Sequence, residues 1–167
     1  MTDRDSGEPP SLGEAMPDWQ FGTQVPRVSV RALVLDGDDV VAVERLSAQG
    51  KLHMPGGGVE HGETMLDALR RELREELCIT PATAEYQLVI ENLFETHLGL
   101  YHAVEHIFRV SPDGRPRAGE AGLRMHRLPL ATIGAASFYP SAFRELLTRP
   151  DWREHHYLLA GKFIGQD

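Results

Sequence analysis

The chain has 167 residues, enough for one domain with a real core. Hydrophobic residues make up 41% and charged residues 25%, an ordinary balance for a soluble globular protein. Asp and Glu outnumber Lys and Arg by 25 to 17, a formal net charge of −8. That balance argues against broad non-specific binding to nucleic acid, and any polyphosphate ligand must be met by local cations. The lone cysteine, Cys78, excludes an intramolecular disulfide and fits a reducing compartment. There is no apolar run long enough to span a membrane. Thr2, Asp3, Arg4 and Asp5 are unlike a secretory signal, so a cytoplasmic location is expected.

Residues 1–20 are rich in Asp, Glu, Gly, Pro and Ser and read as a flexible leader, with Trp19 and Phe21 anchoring its end against a single domain over 21–167. Residues 28–35 read as a strand with two apolar faces. The turn Asp36-Gly37-Asp38-Asp39 leads to a returning strand over 40–45, forming a hairpin. Residues 47–51 form a loop, and 52–54 lead into a glycine run, Pro55-Gly56-Gly57-Gly58. Glycine lets the backbone approach a ligand closely there, and Gly62 adds a permissive turn.

Thr64 with Asp67 three residues on is a variant capping box, so a helix starts at Met65. Its apolar residues Leu66, Leu69, Leu73 and Leu77 fall at spacings of three and four and predict one core-facing stripe. Glu72, Glu75 and Glu76 lie at offsets zero, three and four and share another surface of the helix. Like charges this close repel unless a cation sits among them, and grouped oxygen ligands suit Mg²⁺ or Mn²⁺. The alternative is a solvated acidic face with Arg70, Arg71 and Arg74 as intrahelical partners. The glycine loop at this register favours the site.

Residues 84–94 and 101–110 read as two further strands joined around 97–99. Ser111-Pro112-Asp113-Gly114 is a turn signal, 123–128 a short strand, and 143–147, starting as early as Ser141, a second amphipathic helix. Strands interleaved with two helices predict an α/β domain with a mixed sheet between helices.

The run from Gly57 to Ile79 places Glu63 six residues after Gly57, then Arg71-Glu72-Leu73, Glu75-Glu76 and Ile79. It resembles the Nudix box, G-x5-E-x7-R-E-U-x-E-E-x-G-U with U aliphatic. The resemblance implies an α/β/α sandwich over roughly residues 20–150. It also implies metal-dependent hydrolysis of a nucleoside diphosphate linked to another group. Carried over position by position, Glu72, Glu75 and Glu76 bind the catalytic Mg²⁺ or Mn²⁺, and Glu72 is also the candidate base. The carbonyl of Gly56 is a backbone metal ligand. Gly57, Glu63 and Arg71 shape and support the loop. Cys78 stands where the box has Gly; it either takes the left-handed cap at a steric cost of ~1 kcal/mol or the helix ends differently.

Nudix enzymes commonly take a further carboxylate from downstream, and Glu120 in the loop Gly119-Glu120-Ala121-Gly122 is the first candidate, with Glu105 the alternative. Arg31, Arg45 and Lys51 lie where hairpin and loop face the cleft and are candidates to bind substrate phosphates. His97, His102 and His106 read as packing or substrate contacts rather than a zinc site, with His155 and His156 exposed. Glu91-Asn92-Leu93-Phe94-Glu95 is similar to a segment of some bacterial Nudix proteins. The substrate signatures outside the box are absent: Thr96 and Phe94 stand where diadenosine polyphosphate and ADP-ribose hydrolases carry Tyr and Pro. The expected partner is therefore a small nucleotide of unspecified type, with nucleic acid and membrane disfavoured and a homodimer open. The rival readings are a non-catalytic nucleotide sensor and an RNA 5′-end pyrophosphohydrolase.

Overall fold

A computed structural model describes residues 25–46, 50–96, 99–151, 154 and 156–160. The leader with Trp19 and Phe21, residues 47–49, His97 and His155 lie outside these. β1 (Arg27–Asp36) and β2 (Asp39–Arg45) form the predicted hairpin around Gly37, whose φ of 66° suits glycine. α1 (Met65–Leu77) follows the glycine loop. β3 (Thr80–Thr96), β4 (Gly99–Asp113), β5 (Leu123–Pro129), a 3-10 turn (Leu130–Ala135), α2 (Ser141–Leu147) and β6 (His156–Ala160) complete the chain.

The six strands form one mixed sheet in the order β5-β2-β1-β4-β3-β6. β1 runs parallel to β4 and β6 parallel to β3, while the other pairs are antiparallel. Alternation along the strands sorts the core into two layers. Val30, Ala32 and Val34 of β1 face α1, where Leu69, Leu73 and Leu77 are fully buried. Leu33, with Ile90 and Ile107, faces Phe143 and Leu146 of α2. The architecture is thus the predicted α/β/α sandwich.

Several expectations change. Leu66 is 40% exposed, and Ala68 takes the buried place beside Leu69; a turn of 3.6 residues carries position 66 to the rim of the stripe. β3 and β4 are longer than predicted. They pair through Pro81 and Pro112 with one register shift beside the prolines, between Pro81 and Thr83, and another between Tyr86 and Leu88, so residues 111–113 are strand and the turn begins at Gly114, φ 93°. β6 was not anticipated.

β1 and β2 pair only at Val34–Asp36 with Asp39–Val41, then diverge. The loop wedges into the gap. It is bonded to β1 by Val30 N–H to the Gly57 carbonyl at 2.9 Å and Ala32 N–H to the Pro55 carbonyl at 2.8 Å, and to β2 by the reciprocal Val43–His53 pair. Both strands thus keep their buried polar groups satisfied where they no longer pair with each other.

Helix α1 begins as the capping residues predict: the Thr64 hydroxyl accepts from Asp67 N–H at 3.2 Å. It ends on Cys78 in the left-handed conformation, φ 54°, ψ 34°. The thiol-bearing residue therefore occupies the strained cap. Cys78→Gly is expected to raise stability by about 0.5–1 kcal/mol, read from urea unfolding at neutral pH. An unchanged or lowered midpoint would show that the cap is not strained.

Candidate active site

The loop, the end of α1 and the loop before β5 meet at one end of the sheet gap. Gly56 has φ 131°, and a Cβ there would lie 2.2 Å from the Val30 carbonyl oxygen, so only glycine fits against β1. Its N–H donates to Glu76 Oε2 at 2.7 Å. Glu76 Oε1 accepts from Arg45 Nη2 at 2.7 Å. Glu76 is 1% exposed. Burial pushes its carboxyl up to about 7, against the Gly56 N–H, Arg31 and Arg45 that favour the charge, with Glu72 adding repulsion.

Glu72 packs on Gly57, where a Cβ would fall 2.2 Å from Glu72 Oε1. Arg71 Nη1 donates to that oxygen at 2.7 Å and lies 3.6 Å from Glu75 Oε2. The rest of the Arg71 fork grips both Glu63 oxygens at 3.0 Å and the Gly58 carbonyl at 3.0 Å. This bidentate pair fastens the loop to the helix and holds the Glu63 carboxyl below its usual range. Glu75 is the most open of the three helix carboxylates, its side chain 49% exposed against 13% for Glu72.

The two downstream candidates separate. Arg45 Nη1 holds Glu120 Oε2 at 3.0 Å, so one guanidinium bridges Glu120 and Glu76. Glu105 is buried on the sheet face towards α2, where it accepts from Arg31 Nε at 3.0 Å and Asn92 Nδ2 at 2.6 Å. Glu120 is carried to its place by the chain just before it. Arg117 N–H and Gly119 N–H donate to the Leu77 and Glu76 carbonyls at 3.0 and 2.9 Å, closing the end of α1. A Cβ on Gly119 would lie 2.1 Å from the Glu75 carbonyl oxygen. This anchoring role of Gly119 was not anticipated, although its loop had been singled out for Glu120.

The three candidate phosphate cations share a neighbourhood. Arg31, Arg45 and Lys51 all act on the half-buried His53, and with burial as the larger cause they lower it to about 4. Lys51 Nζ sits 5.6 Å from the Tyr139 ring centroid, and Tyr139 stacks edge-on against His53. Arg31 instead turns inward, donating to the Gly56 carbonyl as well as to Glu105. His102 pairs with Glu91 at 2.7 Å and His106 with the Tyr86 hydroxyl at 3.1 Å, across the β3–β4 ladder.

The oxygens able to hold a hard cation are those of Glu72, Glu75, Glu76, Glu120 and the Gly56 carbonyl. Among the described residues no three His, Cys, Asp or Glu side chains converge on a single point. Arg45 and Arg71 stand between the carboxylates and take up their charge.

Two outcomes are expected from this geometry. Gly57→Ala should leave folding nearly intact, because a side-chain end can yield, but displace Glu72 and depress kcat; wild-type kcat would show that Glu72 is not needed where it lies. For His53, the folded state disfavours the proton, so stability is full above pH 6.5 and falls as pH drops towards about 4. The loss approaches about 3 kcal/mol. Urea titrations of wild type and His53→Gln across that window should differ in slope by up to about one bound proton; parallel curves would exclude the shift.

A family model described as the NUDIX domain matches residues 25–146. An RNA pyrophosphohydrolase of Helicobacter pylori is 39% identical over 56 residues, 30% of this chain and 36% of that protein. The chain thus spans about a third of the length of the curated relatives it matches. The crystal structure of a MutT NUDIX hydrolase from Burkholderia pseudomallei superposes with a TM-score of 0.65 at 22% identity, covering 75% of this chain and all (100%) of the other. The NUDIX domain of Shewanella oneidensis NrtR, complexed with ADP ribose, gives 0.61 at 17% identity, covering 74% of this chain and 85% of the other. The matched span holds the glycine loop, α1 and Glu120, and the chain belongs to the NUDIX family.

Proposed function

We propose that this protein hydrolyses a pyrophosphate bond in a nucleoside diphosphate linked to another group, using Mg²⁺ or Mn²⁺. The observation that carries the reading is the set Glu72, Glu75 and Glu76 on one helix surface, tied to a glycine loop by the 2.7 Å bond from Gly56 N–H to Glu76. The donor set fits a hard cation: it is all carboxylate and carbonyl oxygen, and burial drives the Glu76 carboxyl upward despite the Gly56 N–H, Arg31 and Arg45 that face it. Glu72, Glu75, Glu76 and the Gly56 carbonyl would hold the ion, with Glu120 as the further carboxylate. Once bound, such an ion neutralises phosphate oxygens and acidifies a water.

The chain's own residues supply the remainder. Arg71 occupies Glu72 Oε1, which leaves Oε2 to take a proton from water. Arg45 stands between Glu76 and Glu120, which would help hold the ion, and is the guanidinium suited to grip a substrate phosphate. Lys51, exposed beside Tyr139, is a second cation for the same substrate. A small nucleotide fits these few cations better than a polymer does.

An RNA 5′-end reading is favoured by one observation, the name of the curated relatives matching 56 residues. A triphosphorylated RNA end presents the same bond, but the net charge of −8 gives little to track a polyanion. A non-catalytic sensor has no need of the full carboxylate set.

The test is hydrolysis of dNTPs, NTPs, dinucleotide polyphosphates, ADP-ribose, nucleotide sugars and triphosphorylated RNA with Mg²⁺ or Mn²⁺, read by chromatography of the nucleotide and phosphate-bearing products. A hit should vanish with chelator, and Glu72→Gln should lower kcat by about 100-fold or more, the range of a lost general base. Glu76→Gln should lose activity with metal binding. Turnover that survives both substitutions would overturn the reading. Silence across the panel, with nucleotides still raising Tm, would favour the sensor.

A further inference from the structure

Arg31, Glu105 and Asn92 lie on the sheet face opposite α1. They occupy three neighbouring strands, β1, β4 and β3, in the parity of Leu33, Ile107 and Ile90, which form the core beneath α2. Glu105 and Asn92 are 5% and 4% exposed. Glu105 Oε1 is held by Arg31 Nε at 3.0 Å and Oε2 by Asn92 Nδ2 at 2.6 Å, so both oxygens of the carboxylate are committed. The far end of the Arg31 fork, Nη1, donates to the Gly56 carbonyl and lies 3.5 Å from the Met54 carbonyl.

Gly56 stands in the gap between β1 and β2, where the sheet has no rung of its own. Its carbonyl accepts from Arg31, and its N–H donates to Glu76. A single residue therefore joins the polar row under α2 to the buried carboxylate of α1. Burying an ion pair contributes little net stability compared with apolar packing, so its cost is better explained by position than by strength. Arginine suits the task, because its planar fork fixes two partners at once and lysine cannot reproduce that geometry. A carbonyl oxygen has two lone pairs, so a bond from Arg31 leaves the second for another partner.

We propose that Arg31, held by Glu105 and Asn92, is a positioning residue that orients Gly56 and through it Glu76, rather than a grip on substrate phosphate. This rests on the metal-dependent reading above, in which Glu76 and the Gly56 carbonyl are ligands. Outer partners that orient metal ligands commonly matter by about 10- to 100-fold in metal affinity.

The test uses the full chain and Mn²⁺ alone, titrated by electron paramagnetic resonance, together with the Gly56 amide proton shift in metal-free protein. Arg31→Met, Arg31→Lys and Glu105→Gln are compared with wild type and with Glu76→Gln. The last two of the positioning variants preserve charge or shape, so at least one folds even if Arg31→Met does not. The expected result is Mn²⁺ binding weakened about tenfold or more in all three, with the Gly56 amide proton moved. Unchanged Mn²⁺ affinity and an unmoved amide, with Glu76→Gln still losing the metal, would overturn the proposal and return Arg31 to the substrate side. If Glu76→Gln itself binds Mn²⁺ normally, the metal reading fails, and the amide decides: moved, Arg31 positions Gly56; unmoved, it does not.

Discussion

A carboxylate taken out of water must be given partners, and the arrangement around Glu76 follows from that requirement. The helix that carries it is pinned to the sheet by Leu69, Leu73 and Leu77, so Glu76 cannot swing outward to be solvated. Its partners have to be brought in: a backbone amide from Gly56 and a guanidinium from Arg45. Bringing in the amide requires a residue without a side chain, lodged against Val30, and that in turn requires β1 and β2 to part. The shape of the loop, the splay of the hairpin and the glycine at 56 are consequences of one buried charge. Even so its partners only partly offset the burial, and the carboxyl stays above its usual range.

The fold was legible where its determinants are local. Alternation in β1 and β2, the Thr64–Asp67 cap and the leucine spacing of α1 each act within a few residues, and the elements appear where those signals lie. Leu66 misled because a three-residue step advances the helix by less than a full turn, leaving its edge position undecided by spacing alone. The strand ends beyond Ala84 and Val110 were hidden because Pro81 and Pro112 break the usual signal, and only the long-range partner strand makes room for them.

The site divides in the same way. The glycine run was expected to admit a ligand, and at 56 and 57 it clears the Val30 carbonyl and the Glu72 carboxylate instead, but the carboxylate spacing on α1, and through the resemblance the Glu63–Arg71 pair, can be read from the chain because those residues lie in one short run. The fates of Arg31 and Arg45 cannot. Each is a cation on a hairpin with the same apparent prospects, yet one sits 74 positions from the acid that holds it and turns under the sheet, while the other bridges acids 31 and 75 positions away. Parity along a strand assigns the face; it does not identify the partner across it. Glu105 and Glu120 differ for the same reason, one lying inside the sheet and the other on a loop moored to the helix.

That mooring has an evolutionary consequence. Arg117 and Gly119 hold the loop to the last carbonyls of α1, so the position of Glu120 is referred to the helix rather than to the end of β4. Ahead of the buried Pro116, the exposed Gly114 and Arg115 are then a tether. Lengthening such a tether costs little entropy, because closure free energy grows only with the logarithm of loop length. Relatives are free to differ in the number of residues before the buried position 116 while keeping their carboxylate in register. Inserting even one residue between Gly119 and Glu120 would break that register.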